Sequence, residues 1–284
     1  MIGSRVGARL DNAGSLDKVY NRTKSKADSF AQRRRVAISH DIKSLVSDCD
    51  VIVSVLTDDQ AVRDFIGKTS DVSLEDKTFI DMSTISPSTS VSISAELGGR
   101  GAEMLDVPVV GSANAVERGE AVLLVGGEKG LFESNTHLLH AIANEVVYVG
   151  PSGSGLRLKL IHNLVLASYV AALGEAIHFG LGGGLDPALI HRLLTALSSI
   201  RSPNSAIKVP KILNSDYSTQ FSLKNMIKDL GIIEGEARLQ GSAIPMGALA
   251  AQLYTLAHER GFSGEDFSVV AEMFKNSFGQ KLPK

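Results

Sequence analysis

Hydrophobic and polar positions follow different patterns in the two halves of this chain. Short apolar runs rich in β-branched residues recur in the first half and predict strands at 16–20, 50–56, 77–83, 102–110, 121–127 and 145–150. Helical patterns lie between most of these runs, at about 24–33, 41–48, 58–67, 87–98 and 128–143. This alternation predicts a mostly parallel, doubly wound α/β sheet with helices on both faces.

The second half contains only helical patterns. After the segment GPSGSG (150–155) the strand signal ends, and helical periodicity continues through about 156–181, 186–199, 204–213, 221–240, 246–260 and 265–276. The change predicts two domains, an α/β domain over 1–150 and an all-α domain over 151–284, joined by a long helix.

Composition and charge narrow the class of protein. The 284 residues are 44% hydrophobic and 21% charged, and the net charge of −2 without a long basic run argues against a nucleic-acid partner. The longest apolar run carries Glu175 and His178, which favours a buried helix, so no membrane partner is expected. Because Cys49 is the only cysteine, no intrachain disulfide can form, and we expect a cytoplasmic protein. The seven histidines show no metal-ligand spacing, so no metal site is expected.

The first residues read as the end of a phosphate-binding turn and the helix behind it. Gly3 would be the third glycine of a dinucleotide-binding fingerprint, and SRVGARLDNAG (4–14) the helix. The first strand and the first two glycines of such a fingerprint would precede Met1. We therefore expect a start placed about 10 residues too late, or a truncated gene, with the strand ending at Tyr20 and the one starting near Asp50 lacking a common neighbour.

A basic turn follows the first predicted strand, in the segment VYNRTKSKA (19–27). In dinucleotide-binding sheets an acid at the end of the second strand favours NAD, whereas an arginine accommodates the 2′-phosphate of NADP. Arg22 occupies that place, with Lys24 and Lys26 close behind. Behind a glycine turn and a strand, these charges predict NADP with NAD as the less favoured cofactor, although an ordinary charged helix start would also explain them.

The segment RLKLIHN (157–163) places Lys159 and Asn163 four residues apart, on one face of the predicted helix. The neighbouring positions are apolar, and burial lowers the pKa of a lysine, which is how a lysine becomes a general acid–base near neutral pH. The alternative is a lysine whose ammonium group reaches solvent past an apolar stem.

Three further segments carry polar residues at places where a doubly wound sheet binds ligands, or on a late helix. Ser83 and Thr84 follow a strand in FIDMSTISPSTS (79–90), where the hydroxyls could also cap the next helix. Gly111 and Ser112 in DVPVVGS (106–112) would present N–H groups at a helix start, suited to a carboxylate, or form a plain tight turn. The pair Lys228 and Asp229 is of a kind that usually marks a solvated helix face.

Together these segments resemble the β-hydroxyacid dehydrogenase family, which includes 3-hydroxyisobutyrate dehydrogenases and glyoxylate/succinic semialdehyde reductases. They follow the family's order, and the similarity covers nearly the whole chain. The resemblance implies a Rossmann-type NADP-binding domain followed by an all-helical domain for substrate binding and oligomerisation. It also implies an enzyme that interconverts a small hydroxyacid and its semialdehyde or keto form by hydride transfer, as a homodimer or homotetramer.

The resemblance assigns roles to individual residues. Lys159 would be the general acid–base, and Asn163 would orient the substrate. A small-molecule carboxylate would contact Thr84, Val110, Gly111 and Ser112, with Phe221 and Asp229 closing the site. The cofactor would contact residues from several segments, namely Gly3, Asn21, Arg22, Thr23, Lys26, Leu56, Ser83, Thr84 and Lys228.

Two residues depart from the family pattern. Val110 stands where serine is usual, so a hydroxyl that would touch the carboxylate is missing, and the substrate is expected to be bulkier or more apolar. His162 gives the segment a likeness to 6-phosphogluconate dehydrogenases, in which the histidine also serves the substrate. A non-catalytic dinucleotide-binding homologue and an imine reductase-like enzyme are the alternatives, and retention of Lys159 argues against both.

Overall fold

The computed structural model describes residues 2–275. The chain divides into two compact units, Met1–Leu160 and Ile161–Lys284. The dividing point lies inside a long helix, Ser154–Gly182, that follows the last strand.

Unit 1 contains the strands. They are β1 (Lys18–Val19), β2 (Ala37–Ile38), β3 (Val51–Ser54), β4 (Thr78–Asp81), β5 (Glu103–Asp106), β6 (Val109–Val110), β7 (Val122–Gly126) and β8 (Glu145–Gly150). Strands β3, β4 and β5 are parallel, and their register aligns Ser54, Asp81 and Asp106 at the carboxyl ends. Strand β7 is antiparallel to β5 and β6 and parallel to β8. The mixed sheet is therefore parallel on the side where three polar residues end adjacent strands.

Strands β1 and β2 form a separate, parallel two-stranded sheet. Among the described residues, β1 pairs with β2 and β3 pairs with β4, and no ladder joins β1 to β3. The expectation of a further strand upstream of Met1 stays a prediction.

Helices cover both faces of the larger sheet. The helices of unit 1 before the long connecting helix are α1 (Ile2–Asn12), α2 (Lys24–Arg34), α3 (Ile42–Asp48), α4 (Asp59–Gly67), α5 (Pro87–Gly98), α6 (Ala113–Arg118) and α7 (Lys129–Ile142), of which α2 packs on the two-stranded sheet. One buried cluster joins α1, α6 and α7 to Ile80 and Met82, and a second joins α3, α4 and α5 to Phe79. Because side chains alternate across a strand, this division between neighbours on β4 shows that both sheet faces are buried. The predicted doubly wound Rossmann-type fold is confirmed.

The structure differs from the predicted elements in four places in unit 1. The predicted strand 102–110 is two strands, because Val107 and Pro108 interrupt it and proline has no N–H for the ladder. The predicted strand 16–20 is shorter, at Lys18–Val19. Strand β2 and the extent of the short helix α6, of which only the start at Ser112 was predicted, were missed, since two and six residues are too few to show a periodicity.

Unit 2 is helical within the described residues, apart from an isolated antiparallel bridge between Ser222 and Asp266. Its helices are the later part of α8 (Ser154–Gly182), then α9 (Pro187–Arg192), α10 (Pro203–Leu213), α11 (Leu223–Gln240) and α12 (Pro245–Glu259). The predicted helix 186–199 ends in a π-helical turn, Leu193–Leu197, and the last predicted helix is a 3₁₀ helix, Phe267–Phe274. Residue 276, the last residue of that predicted helix, lies outside the described residues.

Helix α8 joins the two units and has 29 residues. By length and composition alone it is apolar enough to cross a membrane, a criterion that the core helices of soluble proteins also meet. The predicted long connecting helix is confirmed.

Candidate active site

Ser83 connects the ends of β3 and β4. Its hydroxyl donates to Asp81 Oδ1 at 2.7 Å and accepts from the backbone N–H of Leu56 at 2.8 Å. Ser54 Oγ donates to the same carboxylate oxygen at 2.6 Å. Ser83 is buried, so the network fixes the two loops that carry Leu56 and Thr84 at the carboxyl edge of the sheet.

The basic turn after β1 is exposed to solvent. Asn21 Oδ1 accepts from the backbone N–H of Thr23 at 2.9 Å, and Thr23 is the N-cap residue of α2. Arg22, Lys24 and Lys26 are all exposed. Their positive charge therefore lies at a helix N-terminus, an arrangement that suits a phosphate group.

Gly3 lies in the first turn of α1, close to the strand edge. A Cβ at this position would lie 3.3 Å from the Cβ of Val55. In dinucleotide-binding folds the third fingerprint glycine permits this close packing of the helix on the strand. Together with the exposed basic turn, this close approach shows that the described residues fit a dinucleotide.

Ser112 is the N-cap residue of α6, and its hydroxyl accepts from the backbone N–H of Ala115 at 3.3 Å. The preceding Gly111 is exposed and has φ +142°, and an added Cβ would meet Ala115 and Ala121 at 3.2 Å. Val110 is half-buried at the end of β6. The turn therefore requires glycine, and it presents backbone at a helix N-terminus, as the sequence predicts.

Lys159 and Asn163 both lie on α8, one turn apart, and both are buried. The exposed fraction is 8% for Lys159 and 1% for Asn163. An apolar helix face that buries a lysine is energetically costly, so the position has a reason other than packing. His162, between them in sequence, is half-buried.

In unit 2, three of the predicted site residues are in direct contact. Asn163 Nδ2 donates to Asp229 Oδ2 at 2.6 Å, and Lys228 Nζ lies 2.8 Å from Asp229 Oδ1. Asp229 is buried, whereas Lys228 is partly exposed. The interpretation of Lys228 and Asp229 as a solvated charge pair was therefore wrong for Asp229. This carboxylate holds the amide of Asn163 in a fixed orientation.

Phe221 precedes α11 and is half-buried. Its ring packs edge-to-face on Phe267, with centroids 5.7 Å apart. Its backbone N–H donates to Asp266 Oδ2 at 3.2 Å, and Asp266 is in turn paired with Lys208 Nζ at 2.8 Å. A buried ion pair thus fixes the segment that carries Phe221.

The sequence reasoning missed the carboxylates that organise these loops. Asp81 and Asp106 end β4 and β5 and are 2% and 1% exposed. Each acid was visible at the end of an apolar run, and a carboxylate that is buried there needs hydrogen-bond donors. Within residues 2–275, no group of three or more histidine, cysteine or acidic side chains is arranged to hold a metal ion.

Two family models match consecutive parts of the chain. The NAD binding domain of 6-phosphogluconate dehydrogenase matches residues 1–150. The NAD-binding domain of NADP-dependent 3-hydroxyisobutyrate dehydrogenase matches residues 153–274.

Known relatives cover almost all of the chain. Glyoxylate/succinic semialdehyde reductase 2 of Arabidopsis thaliana is 32% identical over 97% of this chain and 77% of its own length. NAD-dependent L-serine dehydrogenase of Pseudomonas aeruginosa is 28% identical, over 98% of this chain and 96% of its own. A solved structure of Mycobacterium tuberculosis 3-hydroxyisobutyrate dehydrogenase with L-serine superposes with a TM-score of 0.87 at 25% identity, over 96% of this chain and 95% of its own. The chain therefore belongs to the β-hydroxyacid dehydrogenase family and is an NAD(P)-dependent oxidoreductase of the 3-hydroxyisobutyrate dehydrogenase type, acting on CH–OH groups.

Proposed function

We propose that this chain uses NADP to interconvert a small hydroxyacid and its semialdehyde or keto form, with Lys159 as the general acid–base. The observation that carries the proposal is a buried lysine one helical turn from Asn163, whose amide is held by Asp229. Glyoxylate and succinic semialdehyde are the first substrates to test, because the Arabidopsis relative is named for both.

The residues for holding the dinucleotide come from four segments of unit 1. Gly3 allows α1 to approach Val55, the Leu56 backbone is fixed by Ser83, and the turn Asn21–Lys26 carries the positive charge. Lys228 is the cofactor residue proposed from unit 2. When bound, the nicotinamide supplies the hydride in reduction and accepts it in oxidation.

Lys159 transfers a proton to and from the substrate oxygen. In the reductive direction its ammonium group donates a proton to the substrate oxygen as the carbonyl becomes a hydroxyl. In the oxidative direction the neutral amine takes that proton back. Asn163 orients the substrate because its own amide plane is set by the 2.6 Å hydrogen bond to Asp229.

The substrate carboxylate is proposed to bind near Thr84 and the turn Gly111–Ser112. The turn precedes helix α6, and N–H groups at such a helix start favour an anion. Val110 supplies a half-buried apolar side chain in place of a hydroxyl. Its methyl groups favour a substrate with more apolar surface beside the carboxylate than a two-carbon acid has.

The preference for NADP over NAD rests on the basic turn. Arg22 and Lys26 are exposed at the start of α2, and the segment Asn21–Lys26 contains no acidic residue. A 2′-phosphate placed there would gain charge-assisted hydrogen bonds, whereas the 2′-hydroxyl of NAD would find no carboxylate to accept from it.

A homodimer or homotetramer formed through unit 2 is part of the proposal. Its helices expose large apolar side chains, including Phe179 at 85%, Leu239 at 75% and Leu197 at 63%. Exposed apolar surface of this extent is typical of an interface. Analytical ultracentrifugation should give two or four times the monomer mass, and a monomer at micromolar concentration would contradict this part.

The test of the proposed function follows the absorbance of the reduced nicotinamide with glyoxylate or succinic semialdehyde as substrate. We expect consumption of NADPH by at least one of them, with a kcat/KM at least about tenfold above that for NADH. Nicotinamide fluorescence measures cofactor binding separately. Tight NADPH binding without turnover of these or longer semialdehydes would favour the non-catalytic homologue instead.

A further inference from the structure

Asp106 is a buried carboxylate at the last position of β5, and none of the roles above uses it. It is 1% exposed and is the register partner of Asp81 on the neighbouring strand. A carboxylate in such a position needs hydrogen-bond donors on both oxygens.

Both donors come from the start of α8. Asp106 Oδ1 accepts from the backbone N–H of Gly153 at 2.6 Å, and Oδ2 accepts from that of Leu156 at 3.0 Å. The first N–H groups of a helix have no partner within the helix, and a carboxylate there also interacts favourably with the helix dipole. Asp106 therefore caps α8 across a separation of about fifty residues in sequence.

Two glycines leave room for this carboxylate. A Cβ at Gly126 would lie 2.5 Å from Asp106 Oδ1, and a Cβ at Gly155 would lie 2.9 Å from Oδ2 and collide with the carbonyl oxygen of Leu124. Gly153 has φ +84°, which side chains rarely permit. The first turn of α8 can approach the sheet this closely because residues 126, 153 and 155 are all glycine.

Lys159 lies three residues after Leu156, on the next turn of the same helix. We propose that Asp106 is a positioning residue, whose bonds to Gly153 and Leu156 hold the start of α8 on the sheet and so fix Lys159 for proton transfer. The inference rests on the proposed role of Lys159. Asp106 itself contacts the helix backbone, and its effect reaches the substrate through Lys159.

The charge of Asp106 gives this role a pH dependence. Burial, opposed by the N–H groups of Gly153 and Leu156, raises the pKa of Asp106 to about 6, and the nearby charge of Asp81 adds to the rise. A protonated carboxyl keeps an acceptor lone pair on each oxygen, so both N–H contacts can persist. Because the pKa is raised, the folded arrangement favours the protonated form, and the start of α8 is held more firmly at pH 5 than at pH 7.

The kinetic test measures kcat for the reduction of glyoxylate or succinic semialdehyde by NADPH between pH 5 and 8. In this direction Lys159 acts as an acid, so its own titration cannot remove activity at low pH. We expect wild-type kcat to be maintained from pH 7 to pH 5, and Asp106→Asn, whose NH₂ group cannot accept from an N–H, to lower kcat by about 10- to 100-fold at both pH values. NADPH affinity should change less than about threefold, since Asp106 is not a cofactor residue. A wild-type kcat in Asp106→Asn at pH 7, or a loss of NADPH affinity equal to the loss of kcat, would overturn the proposal.

Amide hydrogen exchange provides a second readout that needs neither activity nor a variant. After correction for intrinsic rates, peptides covering 151–160 should gain about tenfold in protection from pH 7 to pH 5, while protection of the α5 peptides (87–98) stays the same. Unchanged protection at 151–160 would overturn the anchor even if Asp106→Asn fails to fold. If wild type reduces neither substrate, the proposed function fails, and exchange still decides whether Asp106 holds the helix.

Discussion

The side-chain amide of Asn163 donates a 2.6 Å hydrogen bond to the carboxylate of Asp229, and both residues are buried. Lys228 lies on the other carboxylate oxygen at 2.8 Å. Asn163 and the adjacent pair Lys228–Asp229, which are far apart in the sequence of unit 2, thus form one connected polar group. Its geometry depends on every member, because a buried donor or acceptor that loses its partner is costly.

Asn163→Ala should destabilise the protein by about 1–3 kcal/mol, because the change leaves the buried Asp229 carboxylate without its amide donor. The free energy of unfolding in urea measures the effect. Glu175→Ala, at an exposed position of the same helix, is the matched control and should change stability by less than about 0.5 kcal/mol. Equal effects of the two substitutions would show that the Asn163–Asp229 bond contributes nothing specific.

Ser83→Ala should weaken NADPH binding by about 3- to 10-fold. The substitution removes the acceptor for the Leu56 N–H and one donor to Asp81, so the loop beside the cofactor loses its fixed position. Nicotinamide fluorescence titration measures the dissociation constant. Ser92→Ala, on the exposed side of α5, should leave it unchanged. Wild-type affinity in Ser83→Ala would show that the Leu56 loop is fixed by other contacts.

Arg22→Ala should raise the dissociation constant for NADPH by about 10- to 100-fold and leave that for NADH nearly unchanged, because a charge-assisted hydrogen bond to the 2′-phosphate is lost. Arg33→Ala, near the C-terminal end of the helix α2 that follows Arg22, serves as the control for the loss of one positive charge. A parallel loss of NADPH and NADH affinity would place Arg22 away from the 2′-phosphate. An unchanged NADPH affinity would remove it from the cofactor site.

How much of this arrangement the sequence could predict depends on how local each contact is. The spacing of Lys159 and Asn163 on a helix, and the glycine turn before α6, follow from neighbours in sequence and were predicted. The contact of Asn163 with Asp229 spans 66 residues, and the sequence gives no register between two helices. The charge pair Lys228–Asp229 therefore read as a solvated face, although one of its members is buried.

The hydrogen-bond partners of Asp81 and Asp106 also could not be predicted from the sequence. Each was visible as an acid after an apolar run, and the parallel register that places them side by side is a property of the paired strands. Their partners, Ser54, Ser83 and the start of α8, come from other elements. Buried polar networks of this kind are assembled by the fold, so single segments do not reveal them.

The buried Asp106 carboxyl also makes stability depend on pH. Its pKa is raised to about 6 from an ordinary value of 3.8, so between these values the folded state binds a proton that the unfolded state lacks. The contribution of Asp106 to the free energy of unfolding must then decrease as pH rises through this window, by up to about 3 kcal/mol.

Urea denaturation of wild type and Asp106→Asn at pH 4, 5, 6 and 7 measures this contribution as a difference. The stability of wild type relative to Asp106→Asn should be highest near pH 4 and should fall toward pH 7, where the wild-type carboxyl is charged. A difference that is constant across the range would mean that Asp106 titrates alike in the folded and unfolded states.

The central claim is that Lys159 transfers the substrate proton in an NADP-dependent reduction. The most direct measurement is kcat with NADPH and either glyoxylate or succinic semialdehyde for wild type and Lys159→Met, together with the NADPH dissociation constant of both. The account predicts that kcat falls by about 10²- to 10⁴-fold while NADPH affinity changes by less than about threefold. A Lys159→Met enzyme that binds NADPH and retains more than about one tenth of wild-type kcat would contradict it.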